Sequence, residues 1–200
     1  IGAGIAFANK YKKNSRVCFT YFGEGAANQG QVYEAFNMAS LWKLPVVFVI
    51  ENNQYAMGTS MVRASSTDEM FARGLAFNIP GKAVNGMNVL DVAKEAAHAA
   101  DHCRAGKGPF ILEMKTYRYR GHSMSDPAKY RTREEVQKVR EEKDPIDTLR
   151  SLLIEKHKIS EKQFKATDAE IKAIVTDASD FALNSPEPDI EELWTDVYAG

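Results

Sequence analysis

The chain has 200 residues, 44% of them hydrophobic and 26% charged, a globular composition long enough to bury roughly 70% of its unfolded surface without disulfide staples. Its 26 Lys and Arg against 27 Asp and Glu leave a net charge of −1, which excludes a generally basic nucleic-acid binder. The longest central apolar run, Val46–Ile50, is far too short to span a membrane, and the two cysteines, Cys18 and Cys103, cannot form a framework and point to a reducing compartment.

The chain opens at Ile1 in an apolar stretch, IGAGIAFANKY, that reads as the middle of a packed helix over residues 1–11. It has neither the basic region nor the cleavage site of a signal peptide, so the expectation is a chain lacking its N-terminal part, with any targeting sequence lost alongside it. Arg16–Phe22 is a β-rich run that ends at Gly23, and Gly30–Trp42 carries Val32, Phe36, Ala39 and Leu41 at roughly helical spacing. Pro45 then introduces the continuous apolar run VVFVI, a strand of the kind expected where both faces of a parallel sheet are covered. Asn88–Arg104 reads as a helix with Asn88 as its N-cap and Gly106 just past its end, and Pro109–Tyr117 returns as a strand. Strands separated by helices of this length predict right-handed βαβ units and a doubly wound, mostly parallel α/β sheet.

Beyond Tyr117 the composition shifts. Residues 118–133 read as a long surface loop, and from Lys115 to Arg133 six Lys and Arg face one Asp, a local net charge of +5. Helices follow near Thr132–Glu142, over Pro145–His157 and from about Ser160 to Leu183, where Ser160 and Gln163 have capping-box spacing. The last 17 residues hold five carboxylates and no Lys or Arg, a solvated acidic surface.

The chemistry concentrates at two strand ends. One strand runs into Gly23-Glu24-Gly25-Ala26-Ala27-Asn28, the other into Glu51-Asn52-Asn53-Gln54-Tyr55. The carboxyl ends of parallel strands lie together at the ligand-binding edge of such a sheet. Glycine lets backbone approach a phosphate, and the helix that begins near Gly30 directs N–H groups toward it. A carboxylate, an amide oxygen and a backbone carbonyl are hard ligands suited to Mg²⁺, which binds protein groups and substrate phosphate together. These residue types therefore suggest a Mg²⁺–diphosphate site, although Gly-acid-Gly alone reads first as a tight strand-to-helix turn.

The spacing adds to this. The second asparagine of an Asn-Asn pair follows the acid by 29 residues, and that arrangement resembles the thiamine-diphosphate motif. With GEGAANQGQVYEAFNMASLWKLPVVFVIENNQYAMGTS, TYRYRGHSMSDPAKYRTREEV and KDPIDTLR, the whole chain resembles the α subunits of pyruvate dehydrogenase E1, in the thiamine-diphosphate-dependent 2-oxo acid dehydrogenase family. The resemblance implies a thiamine-diphosphate-binding α/β domain over 1–143, with cofactor loop 118–133, and a helical extension over 144–200 packed on the same domain. It implies oxidative decarboxylation of pyruvate and reductive acetylation of a lipoyl group on the E2 acyltransferase. The implied metal ligands are Glu24, Asn53 and the carbonyl of Tyr55. The backbone of Gly25 and Ala26 would bind the diphosphate, Asn53 would touch it too, and His122 would reach it as the catalytic-loop contact. The cofactors implied are thiamine diphosphate and Mg²⁺. The partners implied are an E1 β subunit in an α₂β₂ assembly, which supplies the cofactor-activating glutamate, and E2; nucleic acid and membrane are not expected. Acetoin and branched-chain 2-oxo acid dehydrogenase α subunits remain alternatives, as does a non-catalytic assembly subunit. A generic nucleotide-binding protein is disfavoured by the lack of a Walker lysine or GxGxxG.

Two departures from the family pattern stand out. The family usually has Asp where this chain has Glu24, which implies retained but weaker Mg²⁺ binding, since one extra methylene must fit a near-octahedral geometry. Ser123 and Ser60 match positions phosphorylated in animal relatives. The short DPAKYR segment, with Lys129 where another target serine would lie, looks bacterial, so Ser123 is expected to be a plain loop hydroxyl. The expected location is cytoplasmic for a bacterial source and the mitochondrial matrix for a eukaryotic one. Cys18 and Cys103 read as small buried apolar groups. His98 and His102 share a helical face without a third metal ligand, and Trp42 and Trp194 read as packing or subunit contacts.

Overall fold

Val46, Phe48 and Ile50 point to one side of a strand and Val47 and Val49 to the other, so this run can be satisfied only by cover on both faces. A computed structural model describes residues 1–198 and places the run at an inner position of a parallel sheet. Helix α1 (Gly2–Tyr11) leads to β1 (Cys18–Gly23), α2 (Gly30–Leu41) and β2 (Val46–Asn52). A short hairpin, β3 (Tyr55–Ala56) and β4 (Thr59–Ser60), runs into the single turn α3 (Met61–Ala64) and a 3-10 segment at Met70–Phe77. Then come β5 (Gly81–Asn85), α4 (Val89–Arg104) and β6 (Phe110–Lys115). The sheet order is β1-β2-β6-β5, every pairing parallel.

One face of the sheet packs Phe48, Ile50 and Ile111 against Ala6, Phe36 and Ala39 of the first two helices and against Met70 and Ile79. Phe36 meets Phe48 edge-on with ring centroids 4.7 Å apart. The other face packs Val47, Val49 and Leu112 against Ala99 and Cys103 of α4. Helices therefore cover both faces, the doubly wound arrangement expected from the sequence. Asn88 caps α4 by accepting from the Leu90 and Asp91 N–H groups, and Gly106 follows the helix at φ +71°.

Some expectations needed adjustment. Strand β5 has only Ala83 and Val84 as apolar residues and lies at a sheet edge, so it leaves little alternation to read. Cys18 is half-buried rather than buried, because β1 is the opposite edge strand; Cys103 is buried as expected. His98 and His102 both lie edge-on to Phe110, with centroids at 5.6 and 5.3 Å, a packing role.

No regular element lies between β6 and α5 (Arg133–Lys143), so the irregular segment is 116–132, two residues earlier at its start and one at its end than the 118–133 loop read from the sequence. The chain divides into compact units at Leu149/Arg150, within α6 (Pro145–His157). In the second unit, Ser160 and Gln163 form the predicted capping box at the start of α7 (Glu161–Asn184). Arg150 pairs with Glu161 and lies over the Phe164 ring at 5.2 Å. Among the described residues no helix is long and apolar enough to cross a membrane.

Candidate functional site

Strands β1 and β2 run side by side, Gly23 opposite Glu51, so the turns that follow them emerge together. The first turn is Gly23-Glu24-Gly25 followed by a 3-10 turn at Ala26–Asn28, which intervenes before α2. Gly25 has ordinary helical angles (φ −68°, ψ −46°), so its backbone does not demand glycine. Space does: a Cβ there would lie 2.5 Å from the Ala56 Cβ, because hairpin β3–β4 packs directly on the turn.

The second turn uses its amides internally. Asn52 Oδ1 accepts the Gln54 N–H at 3.1 Å and Asn53 Oδ1 accepts the Tyr55 N–H at 3.3 Å. These successive Asx-type bonds hold Gln54 at φ +74°. The two turns touch where the Asn53 N–H donates to Glu24 Oε2 at 3.4 Å.

Glu24 is only 3% exposed, yet its Oε1 is buried with no partner among the described residues. A buried polar atom without a partner is costly, and an unpaired carboxylate oxygen calls for a cation or a donor. Glu24 also lines a cavity of about 390 Å³, together with Gly25, Ala26, Asn53, Tyr55 and His122. These are the six positions singled out from the sequence, gathered from three separate segments. The same wall contains Arg118, Gln29 and Met57, which the sequence reading did not select. Among the described residues no three His, Cys, Asp or Glu gather to hold a metal. Any cation here would depend on one carboxylate supplemented by amide and carbonyl oxygens, a donor set suited to a hard ion.

The cationic loop borders the cavity with Arg118 and His122 and is held there by its own bonds. Arg118 donates to the Tyr55 carbonyl at 3.1 Å, the Met57 carbonyl at 2.6 Å and the Tyr130 hydroxyl at 2.8 Å. The implied metal-ligand carbonyl thus already serves one donor, and a carbonyl keeps a second lone pair for another. Asp126 accepts the His122 N–H at 2.7 Å, the Ala128 N–H at 2.8 Å and the Tyr130 hydroxyl at 2.9 Å. The His122 and Ala128 amides, followed by Tyr130 and Arg118, hold its carboxyl below the usual range. Arg131 donates to the Arg118 and Arg120 carbonyls and lies 5.3 and 5.6 Å over Tyr117 and Tyr130. Part of the +5 charge is therefore used on the loop's own carbonyls and rings. At the root of the loop, burial and then the Glu135 hydrogen bond push the Tyr117 hydroxyl up to about 12.

Ser123 is exposed beside His122, its hydroxyl 3.1 Å from that of Ser125, while Ser60 is half-buried on β4. The signal for Arg118 was present in the clustered cations, but only the fold shows which of them turns inward.

Residues 1–191 match the family model described as "Dehydrogenase E1 component". A relative described as "Pyruvate dehydrogenase E1 component subunit alpha" from Rhizobium meliloti is 57% identical over 197 residues, covering 98% of this chain and 57% of the relative. One so described from Zymomonas mobilis is 54% identical over 200 residues, covering 100% of the chain and 56% of the relative. A testis-specific mitochondrial form from Rattus norvegicus is 51% identical over 199 residues, covering 99% and 50%. The chain thus spans little more than half the length of these curated relatives.

Proposed function

Because the chain belongs to the dehydrogenase E1 component family, we propose that it is the cofactor-gripping part of a pyruvate dehydrogenase E1 α subunit that uses thiamine diphosphate and Mg²⁺. The observation that carries this reading is the Glu24 carboxylate, whose buried Oε1 has no partner among the described residues, in the wall of the cavity that the other five predicted positions also line.

The donor set fits the metal. Glu24 Oε1, Asn53 Oδ1 and the free lone pair of the Tyr55 carbonyl are hard oxygens from adjacent turns. Gly25 and Ala26 offer backbone N–H groups to the diphosphate, and the loop holds His122 and Arg118 at the same cavity as positive or hydrogen-bonding groups. When bound, the cofactor supplies the electron sink for decarboxylation of a 2-oxo acid. This chain's residues anchor its charged end, fix its orientation and cover it with loop 118–133. Residues 144–200 form a helical extension in this reading. An E1 β subunit completes the site in an α₂β₂ assembly, and an E2 lipoyl group receives the acetyl unit. Relatives with bacterial and with mitochondrial descriptions both match, so the location follows the source: cytoplasmic or mitochondrial matrix.

The test is reconstitution of the full-length subunit with its β partner, assayed for lipoyl-coupled CO₂ release from pyruvate. Activity that needs thiamine diphosphate and Mg²⁺, and falls in His122→Ala, is expected. Activity confined to branched-chain 2-oxo acids or acetoin reassigns the substrate. Cofactor binding without turnover of any of them leaves an assembly subunit.

A further inference from the structure

Beneath the site lies a second carboxylate to which the family pattern assigned no role. Glu113 is 0% exposed and sits on β6, on the same face as Ile111. No cation pairs with it among the described residues. Its Oε1 accepts from Asn52 Nδ2 at 2.7 Å and its Oε2 from the Phe71 N–H at 3.2 Å. Burying a carboxylate under apolar cover is expensive, and the same position could hold an aliphatic side chain as its neighbours do.

The bond to Asn52 fixes which way that amide faces. With Nδ2 committed to Glu113, Oδ1 must face the Gln54 N–H, and it accepts there at 3.1 Å. That bond holds Gln54 in the left-handed region, which few non-glycine residues adopt without support. The next side chain forward in this turn is Asn53, whose N–H reaches Glu24, and the next carbonyl beyond it is that of Tyr55. The turn is also pinned at its ends, where the Thr116 N–H donates to the Asn52 carbonyl at 2.9 Å and the Met61 N–H to the Gln54 carbonyl at 2.9 Å.

We infer that Glu113 is a positioning residue for the cation end of the cavity: through Asn52 it sets the turn that presents Asn53 and the Tyr55 carbonyl. The inference rests on the metal-site reading above. It differs from a purely structural role, in which Glu113 would only tie the 3-10 segment at Met70–Phe77 to the sheet.

An exchange of groups separates the two. In Glu113→Gln, one position of the new amide must face a donor, either Phe71 N–H or Asn52 Nδ2, so the link to the turn is broken or Asn52 flips away from Gln54. In the pair Glu113→Gln with Asn52→Asp, the amide at 113 accepts from Phe71 and donates to the carboxylate at 52, whose other oxygen accepts the Gln54 N–H. The links from Phe71 through positions 113 and 52 to Gln54 return with the donor between 113 and 52 reversed, the charge moves to position 52, and only the Asn52 Nδ2 contact to Met61 Sδ at 3.1 Å is lost.

The experiment uses the full-length subunit assembled with its partner and loaded with thiamine diphosphate. Mn²⁺ affinity is read from electron paramagnetic resonance of the free ion, with thermal unfolding measured in parallel. Loss of a residue that orients a metal ligand costs about 10–100-fold in metal affinity. The expected result is a loss of about tenfold or more in Glu113→Gln and recovery to within about threefold in the exchanged pair. Wild-type affinity in Glu113→Gln, with only a lowered unfolding temperature, overturns the inference. So does a folded exchanged pair that does not recover. Failure of the exchanged pair to fold counts against it equally, since the exchange keeps the bonds the inference relies on. If the wild-type assembly itself binds no Mn²⁺, the metal-site reading fails first and the inference falls with it.

Discussion

Replacing Gly25 by alanine would place a Cβ 2.5 Å from the Cβ of Ala56. Unstrained carbon–carbon contacts lie at roughly 3.5–4.0 Å, so the two atoms must separate by about 1–1.5 Å. Neither has a rotamer to escape into, because each Cβ is fixed by its backbone. The strain therefore moves the hairpin β3–β4 off the Glu24 turn. Overpacking of this kind costs about 1–3 kcal/mol, and each kcal/mol is worth about 2–4 °C in a unit this size, so the unfolding temperature of Gly25→Ala should fall by roughly 2–12 °C. Because Tyr55 begins that hairpin, its carbonyl moves too, and Mg²⁺-dependent cofactor affinity should fall together with stability. Ala56→Gly removes the colliding atom. Calorimetry or circular dichroism on both single variants and the double variant gives the coupling, which should be about 1–3 kcal/mol in favour of the double. Strictly additive unfolding temperatures, or Gly25→Ala indistinguishable from wild type, would refute the idea that glycine is needed there for space.

Three further outcomes follow from the same geometry. Glu24→Gln should keep the unfolding temperature of the metal-free protein within about 2 °C, because the change keeps the shape of a side chain whose Oε1 has no partner among the described residues, while cation binding is lost; a large thermal loss would assign Glu24 a structural role. Asp126→Asn should loosen the loop and raise the rate of tryptic cleavage at Arg118, Arg120 and Lys129 several-fold at neutral pH. Since the folded Asp126 carboxyl is held low, wild-type loop protection should be full above the ordinary carboxylate range and fade as pH falls through its folded value; unchanged cleavage in the variant would contradict the network. Burial first, then Lys107 and His98, hold the His102 imidazole below its ordinary 6.5, so the unfolded chain binds the proton more readily and stability should decline as pH falls below about that value. His102→Leu should flatten the plot of unfolding temperature against pH between 7 and 5.5, and parallel plots for variant and wild type would count against this.

The sequence revealed those parts of the fold whose local pattern and tertiary environment agree. Val46–Ile50 can only be an inner strand, and Asn88 and Ser160 name their own helix starts, so those elements appear where the residues point. Strand β5 was hidden because Lys82 and the edge position leave it too little apolar surface to advertise. The hairpin at 55–60 was hidden because it is two residues per strand and depends on packing over Gly25 rather than on its own pattern. At the site, the six residues named from the motifs do line one cavity. Arg118 and Glu113 were not legible. One is a single cation among six in its segment, and the other is a charge in an otherwise apolar run whose partner lies 61 residues away. Such roles depend on contacts that no local spacing encodes.

The most direct test of the central claim is calorimetric titration of thiamine diphosphate, with and without Mg²⁺, into the full-length subunit co-expressed with its β partner, beside folded Glu24→Gln. Binding that requires Mg²⁺ in the wild type and is lost in the variant is the predicted result. Equal binding by both, or none by a well-folded assembly, would mean that the Gly23–Gly25 turn is only a bend between strand and helix.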